Sequence, residues 1–140
     1  MQTKTHTTKL PVLWTQMDSN GHVSNGTYQF FMDEARMQAL EDLGFSIQTM
    51  RTQGIGPVVL EANLKYNKPL SHPDSVLVET YFESETQIRS FVIQNMYRSS
   101  DGELVCAAKF SAIFYDFAKK RPWKLPQFFF DADISLSNKR

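Results

Sequence analysis

The sequence predicts an α+β domain: one amphipathic helix laid on an antiparallel sheet of about five strands. Three observations predict it. A helical period appears once, with apolar residues at Tyr28, Phe31, Met32, Ala35, Ala39, Leu40 and Leu43. From Val58 onward the period falls to two, the mark of half-buried strands. Turn residues separate those runs, at Ser71-His72-Pro73-Asp74 and Ser100-Asp101-Gly102.

Taken in order, residues 1–9 are polar and expected to fray, and Leu10 to Trp14 reads as a first strand. The helix is expected from Asn25 or Gly26 to Leu43, with Gly44 as its stop. Phe45 to Gly56 is a connector with room for a short helical turn, and Gly54 and Gly56 are expected to make it mobile. Val58, Leu60, Ala62, Leu64 and Tyr66 then alternate with Val59, Glu61, Asn63, Lys65 and Asn67 along one strand, which Pro69 ends. Strands follow at Val76 to Glu83, Gln87 to Arg98 and Glu103 to Asp116. The last carries apolar residues on both faces, as a central strand does. Phe128, Phe129 and Phe130 are expected to cover an exposed end of the sheet. With no repeat, linker or low-complexity stretch, residues 1–140 read as one domain with its core at about 10–126.

The totals exclude several functions. Acidic and basic residues balance at fifteen each, so no basic footprint for nucleic acid exists beyond Lys119-Lys120-Arg121. One cysteine, Cys106, rules out an internal disulfide framework and a Cys-rich zinc site, and its apolar strand face marks it as core. The polar start, Met1 to Lys9, lacks the apolar centre of a signal peptide. No apolar run nears the ~20 residues that span a bilayer. A soluble, cytoplasmic protein without membrane contact is expected.

The chemistry concentrates in Asp18-Ser19-Asn20-Gly21-His22-Val23-Ser24-Asn25, just before the helix. A carboxylate there stands within reach of a helix N-terminus, whose unpaired N–H groups and dipole favour developing negative charge. Acyl transfer fits such a site.

The order of motifs resembles the hotdog-fold thioesterases of the 4-hydroxybenzoyl-CoA thioesterase type. The resemblance runs from about Leu10 to Pro126. It rests on Asp18-x-x-Gly21-His22-Val23-x-Asn25-x-x-Tyr28, Glu34-Ala35-Arg36, Tyr66-x-x-Pro69-Leu70, Asp74-x-Val76-x-Val78-x-Thr80, Arg89-Ser90-Phe91, Asp101-Gly102-Glu103-Leu104-Val105 and Phe114-x-Asp116. It implies a sheet wrapped around the long central helix, and homodimers or homotetramers built from dimers whose sheets join edge to edge. It also implies acyl pockets at the subunit interface, and hydrolysis of an acyl-thioester of coenzyme A or a related pantetheine carrier without metal or organic cofactor.

On this resemblance Asp18 is the catalytic base or nucleophile, and the Asn25 backbone N–H polarises the thioester carbonyl. His22 supplies a positioning hydrogen bond. Gln16 stands where related proteins often carry a second Asp, leaving Asp18 as the single acid. One acid suffices, because a coenzyme A thiol, like Cys, has a pKa of about 8.5 and leaves as thiolate. Tyr28, Phe31, Val58 and Val59 point to an apolar acyl group, and Arg89 is placed for the nucleotide phosphates. Asp33 and Glu34 lie off the apolar stripe and are read as partners of Arg36 and neighbouring lysines rather than as a second acid for the pocket. The rival reading is a non-catalytic protein of the same fold that binds acyl-thioesters as a sensor or carrier. The Asp/His pair expected of the hydratase branch is absent from the sequence.

Overall fold

Six antiparallel strands curl around one long helix in the computed structural model, which describes residues 2–131. In chain order the elements are β1 (His6–Pro11), α1 (Asn25–Asp42), α2 (Ile47–Gln53), β2 (Ile55–Tyr66), β3 (Ser75–Ser84), β4 (Arg89–Arg98), β5 (Leu104–Asp116) and β6 (Arg121–Trp123). The sheet runs β1-β3-β4-β5-β2, and β6 pairs with the end of β5. β5 is therefore central, as its two apolar faces require, and β2 is an edge.

α1 occupies the predicted segment because both of its ends are built. Ser24 keeps an extended backbone (ψ 149°) and pairs its hydroxyl with that of Thr27 at 2.8 Å, so Ser24 is the N-cap and Asn25 the first helical residue. At the other end Gly44 takes φ +87°, which glycine adopts without steric cost. The Gly44 N–H donates to the Glu41 carbonyl (2.9 Å) and the Phe45 N–H to that of Leu40 (2.8 Å), closing the last turn. The buried stripe of α1, from Tyr28 through Met32 and Ala35 to Leu40, packs in one core with Val76, Val78, Phe82, Val92, Met96 and Phe110 of the sheet.

Four segments differ from the sequence expectation. Residues ahead of Leu10 are paired: Gln2 bridges Glu83, the Thr3 N–H donates to the Phe82 carbonyl (2.8 Å), and β1 begins at His6, opposite Thr80. Their inward positions are His6 and Thr8, both buried, and alternation by polar residues escapes a hydrophobic pattern. Trp14 belongs to a short 3₁₀ turn (Trp14–Gln16), outside any strand. The connector, by contrast, holds the short helical turn it had room for, α2, capped by the Ser46 hydroxyl on the Thr49 N–H (3.2 Å) and ended by Gly54 at φ +69°. β6 was hidden because its charged flank reads as solvated surface. The Asp116 carboxylate makes the reversal, taking the N–H groups of Ala118 and Lys119 at 3.0 Å each.

The fourth difference changes which β2 side chains share a face. A bulge lies between Val59 and Glu61, so Val59 opposes Ala112 whereas Ala62 opposes Phe110. Directly opposed residues share a face. The helix side therefore carries Ile55, Pro57 and Val59, then Ala62, Leu64 and Tyr66, while Val58 turns to the outer side. A strict alternation cannot reveal a bulge, since one extra residue inverts every position before it. The phenylalanine run behaves as expected: Phe129 is fully buried, with its ring 5.9 Å from Phe82 and 6.0 Å from Phe114.

Candidate active site

The loop before α1 folds back on itself. The Asp18 N–H donates to the His22 carbonyl (2.8 Å), and the Gly21 N–H to the Asp18 carbonyl (3.1 Å). Gly21 makes the reversal at φ +75°. The Asp18 carboxylate stiffens this turn through one oxygen, Oδ1, which accepts the N–H of Asn20 at 2.8 Å and of His22 at 3.4 Å. The other oxygen, Oδ2, has no hydrogen-bond partner among the described residues. The chain before β3 anchors the loop from outside: the Ser71 hydroxyl donates to the Gly21 carbonyl (2.8 Å), and the Leu70 carbonyl accepts the Val23 N–H (2.7 Å). A run of Ser, Asn and Gly is thereby held as one rigid turn.

Asp18, His22, Asn25 and Tyr28 line one open cavity of about 510 Å³, together with Tyr66 and Lys68. The N–H groups of Asn25 and Gly26, in the first turn of α1, have no partner among the described residues. They leave a concentration of positive partial charge beside the Asp18 loop. The His22 ring makes no hydrogen bond among the described residues, and its main chain does the positioning. Gln16, in place of a second acid, turns to its own loop: its Oε1 accepts the Leu13 N–H at 2.7 Å.

Tyr66 and Lys68 were missed as site residues. Tyr66 donates its hydroxyl to the Asn25 carbonyl (3.3 Å), and its ring lies 5.1 Å from that of Tyr28. Burial pushes both phenols above their ordinary pKa, so both remain protonated near neutral pH. The Lys68 ammonium is 3.7 Å from the Glu103 carboxylate. The run Tyr66-Asn67-Lys68-Pro69 was legible as a strand end, but its place opposite the helix start follows from sheet register.

The remaining candidates lie elsewhere. Val59 lines a second, mostly apolar cavity of about 370 Å³ between α1 and the sheet, with Met37, Leu40, Phe82, Val92 and Phe114. Its polar wall is Asp33, Arg36 and Ser90. Arg36 pairs with Asp33, donates to Gln94 Oε1 (3.0 Å) and stacks over the Phe110 ring at 4.3 Å. Fully buried Gln94 is itself fixed, donating to the Met32 carbonyl (3.0 Å) and the Thr80 hydroxyl (2.9 Å). Burial lowers the Arg36 pKa to about 10, which leaves it charged at neutral pH. Asp33 thus pairs with Arg36 as expected, whereas Glu34 takes a bond from the neutral Gln38 on the same helix (3.4 Å) in place of a lysine.

Val58 and Arg89 border neither cavity; Ile113 pairs with both, one on each side, and all three share the outer face. Arg89 is exposed, its Nε 3.9 Å from a Glu85 carboxylate oxygen. Cys106 is fully buried, and burial pushes its thiol up to about 11, far from a nucleophile's range. Among the described residues no group of three or more His, Cys, Asp or Glu could hold a metal ion, and no helix is long and apolar enough to cross a membrane.

Comparison with known proteins places the fold and the family. The model of the thioesterase-like superfamily matches residues 12–132. The Bacillus subtilis (strain 168) protein named "Putative acyl-CoA thioesterase YneP" is 27% identical over 114 residues, covering 81% of this chain and 82% of the relative. The long-chain acyl-CoA thioesterase FadM of Escherichia coli (strain K12) is 26% identical over 109 residues, 78% of this chain and 82% of FadM. Among solved structures, a DHNA-CoA thioesterase from Staphylococcus aureus superposes with a TM-score of 0.80 at 26% identity, covering 96% of this chain and 90% of that one. This chain belongs to the thioesterase-like superfamily.

Proposed function

We propose that the protein hydrolyses an acyl-thioester of coenzyme A, with Asp18 as base or nucleophile and the Asn25 N–H as oxyanion donor. One observation carries the reading: a carboxylate with a free oxygen, held in a rigid turn, shares a cavity with unpaired N–H groups at a helix start. Two routes use these groups. In one, Asp18 takes a proton from water as the water oxygen attacks the carbonyl carbon. In the other, the carboxylate attacks first and water then cleaves the resulting anhydride. In both, the carbonyl oxygen gains negative charge facing the helix N-terminus, and the carbon–sulfur bond breaks to release a thiolate. His22 orients Asp18 through its backbone N–H. Tyr28 walls the cavity.

The site is completed by a second copy of the chain. Along β2 the Asp18 cavity lies at the Tyr66 end and the apolar cavity at the Pro57–Val59 end, roughly 20 Å apart at ~3.3 Å per residue. A short acyl group held at Asp18 does not reach from one into the other. β2 is also a 12-residue edge whose Val59 and Leu60 are exposed, a row of unpaired backbone groups that monomers rarely tolerate. Pairing two β2 strands antiparallel about a two-fold axis sets each Tyr66 end beside the Val59 end of the other. The acyl chain then leaves the Asp18 cavity of one subunit for the apolar cavity of its mate. On this reading the whole chain acts as one cytoplasmic thioesterase domain within a homodimer or larger homo-oligomer.

A panel of acyl-CoA thioesters, with released thiol followed colorimetrically, tests the reading. Turnover of at least one member supports it. Tight binding with no turnover of any member makes the protein an acyl-thioester sensor or carrier.

A further inference from the structure

A second space lies beside the apolar cavity. A trough of about 490 Å³ runs between α2 and the start of β2, lined by Met50, Gly56 and Phe117. Met37 and Pro57 border both spaces. Proline is rigid, but Met37 is half-buried on α1 and its unbranched thioether side chain has three rotatable bonds. Beyond it, Phe117 is exposed, which an isolated surface turn does not require. Gly56 keeps the trough open: a Cβ there would stand 3.5 Å from the Phe117 ring and 3.8 Å from the Met50 sulfur.

We propose that Met37 is the gate between two acyl compartments and sets the length of aliphatic chain the enzyme accepts. Chains that end in the first cavity stop against Met37. Longer chains displace it and run under α2 toward Phe117. The inference rests on the thioesterase reading and adds to it a substrate class, a straight aliphatic acyl group whose length is read at one side chain. Met37 is a specificity-determining residue; it stands apart from Asp18 and Asn25 and leaves the chemistry untouched.

The test is a series of saturated acyl-CoA esters from four to sixteen carbons, assayed with the wild type, Met37→Ala and Met37→Phe. Each methylene buried in an apolar site contributes about a fourfold gain in kcat/KM. The wild-type gain per carbon should continue until the first cavity fills and then flatten. Met37→Ala should move the break to longer chains and Met37→Phe to shorter ones. Phe117→Ala should lower kcat/KM only for the longest esters. Equal scaling at all lengths, or an unmoved break, overturns the gate. If the wild type turns over no ester, the thioesterase reading fails by itself. Calorimetric binding of the same series then decides, and a length profile identical in all three proteins overturns the proposal.

Discussion

Asp18→Asn separates chemistry from architecture in one atom. In the wild type both loop hydrogen bonds, from the N–H groups of Asn20 and His22, fall on Oδ1. Asparagine keeps that carbonyl oxygen and replaces only Oδ2, which bonds nothing among the described residues. The turn should survive with stability within ~0.5 kcal/mol of wild type, the range of surface substitutions that break no contact. Catalysis loses the negative charge, the proton acceptor and the nucleophile together. A positioned base contributes ~10²-fold or more, about 2.7 kcal/mol of transition-state free energy. We expect kcat on the best acyl-CoA ester to fall at least ~10²-fold, with substrate binding by calorimetry and the melting temperature held. Asp18→Ala, which also removes the Oδ1 acceptor, should lose about 1 kcal/mol of stability as well. Turnover by Asp18→Asn within a few-fold of wild type would refute the assignment.

Other outcomes follow from the same geometry. Analytical ultracentrifugation at micromolar protein should show a dimer or larger assembly, and a stable, active monomer would contradict the shared site. Arg89→Ala should raise KM for acyl-CoA only a few-fold and leave kcat alone, because an exposed charge already near Glu85 contributes at most ~0.2–1 kcal/mol to a phosphate contact. A truncated pantetheine ester, which has no nucleotide, should not respond to that change. Cys106 should resist a thiol reagent in the native protein at pH 8 and react on denaturation. Its folded-state pKa of about 11 stands above the thiol's ordinary 9.0, so its contribution to stability is complete below pH 9 and disappears as pH rises through 11.

What the sequence disclosed follows the range of the interactions involved. α1 was legible to within a residue at each end because its signals are local: a 3.6-residue stripe, a serine cap and a left-handed glycine just past the end. The Asp18 turn was legible for the same reason, since the bonds of its carboxylate join residues at most four apart, whereas its anchors at Ser71 and Leu70 were not. Facts that depend on pairing were not. The β2 bulge, the strand made by His6 and Thr8, and the approach of Tyr66 to Asn25 all need a partner distant in sequence. Val58 and Val59 were adjacent candidates for one pocket, and the register sends them to opposite sides of the sheet.

This division bears on how the site performs its reaction. A thioester needs little help at its leaving group, so the demand falls on activating one oxygen and stabilising another. Both tasks belong to a short segment: Asp18 supplies the carboxylate, and seven residues later the helix supplies N–H groups that need no special side chain. Whatever side chain Asn25 carries, its N–H keeps its direction as long as Ser24 caps the helix and the turn stays closed. Chemistry is thus fixed locally. On the proposed reading substrate choice is set by the sheet, whose bulge turns Val59 toward the helix and whose edge carries Tyr66 beside the loop. Within the fold, then, changes to the β2 register or to Met37 can redirect acyl preference without disturbing the Asp18 turn.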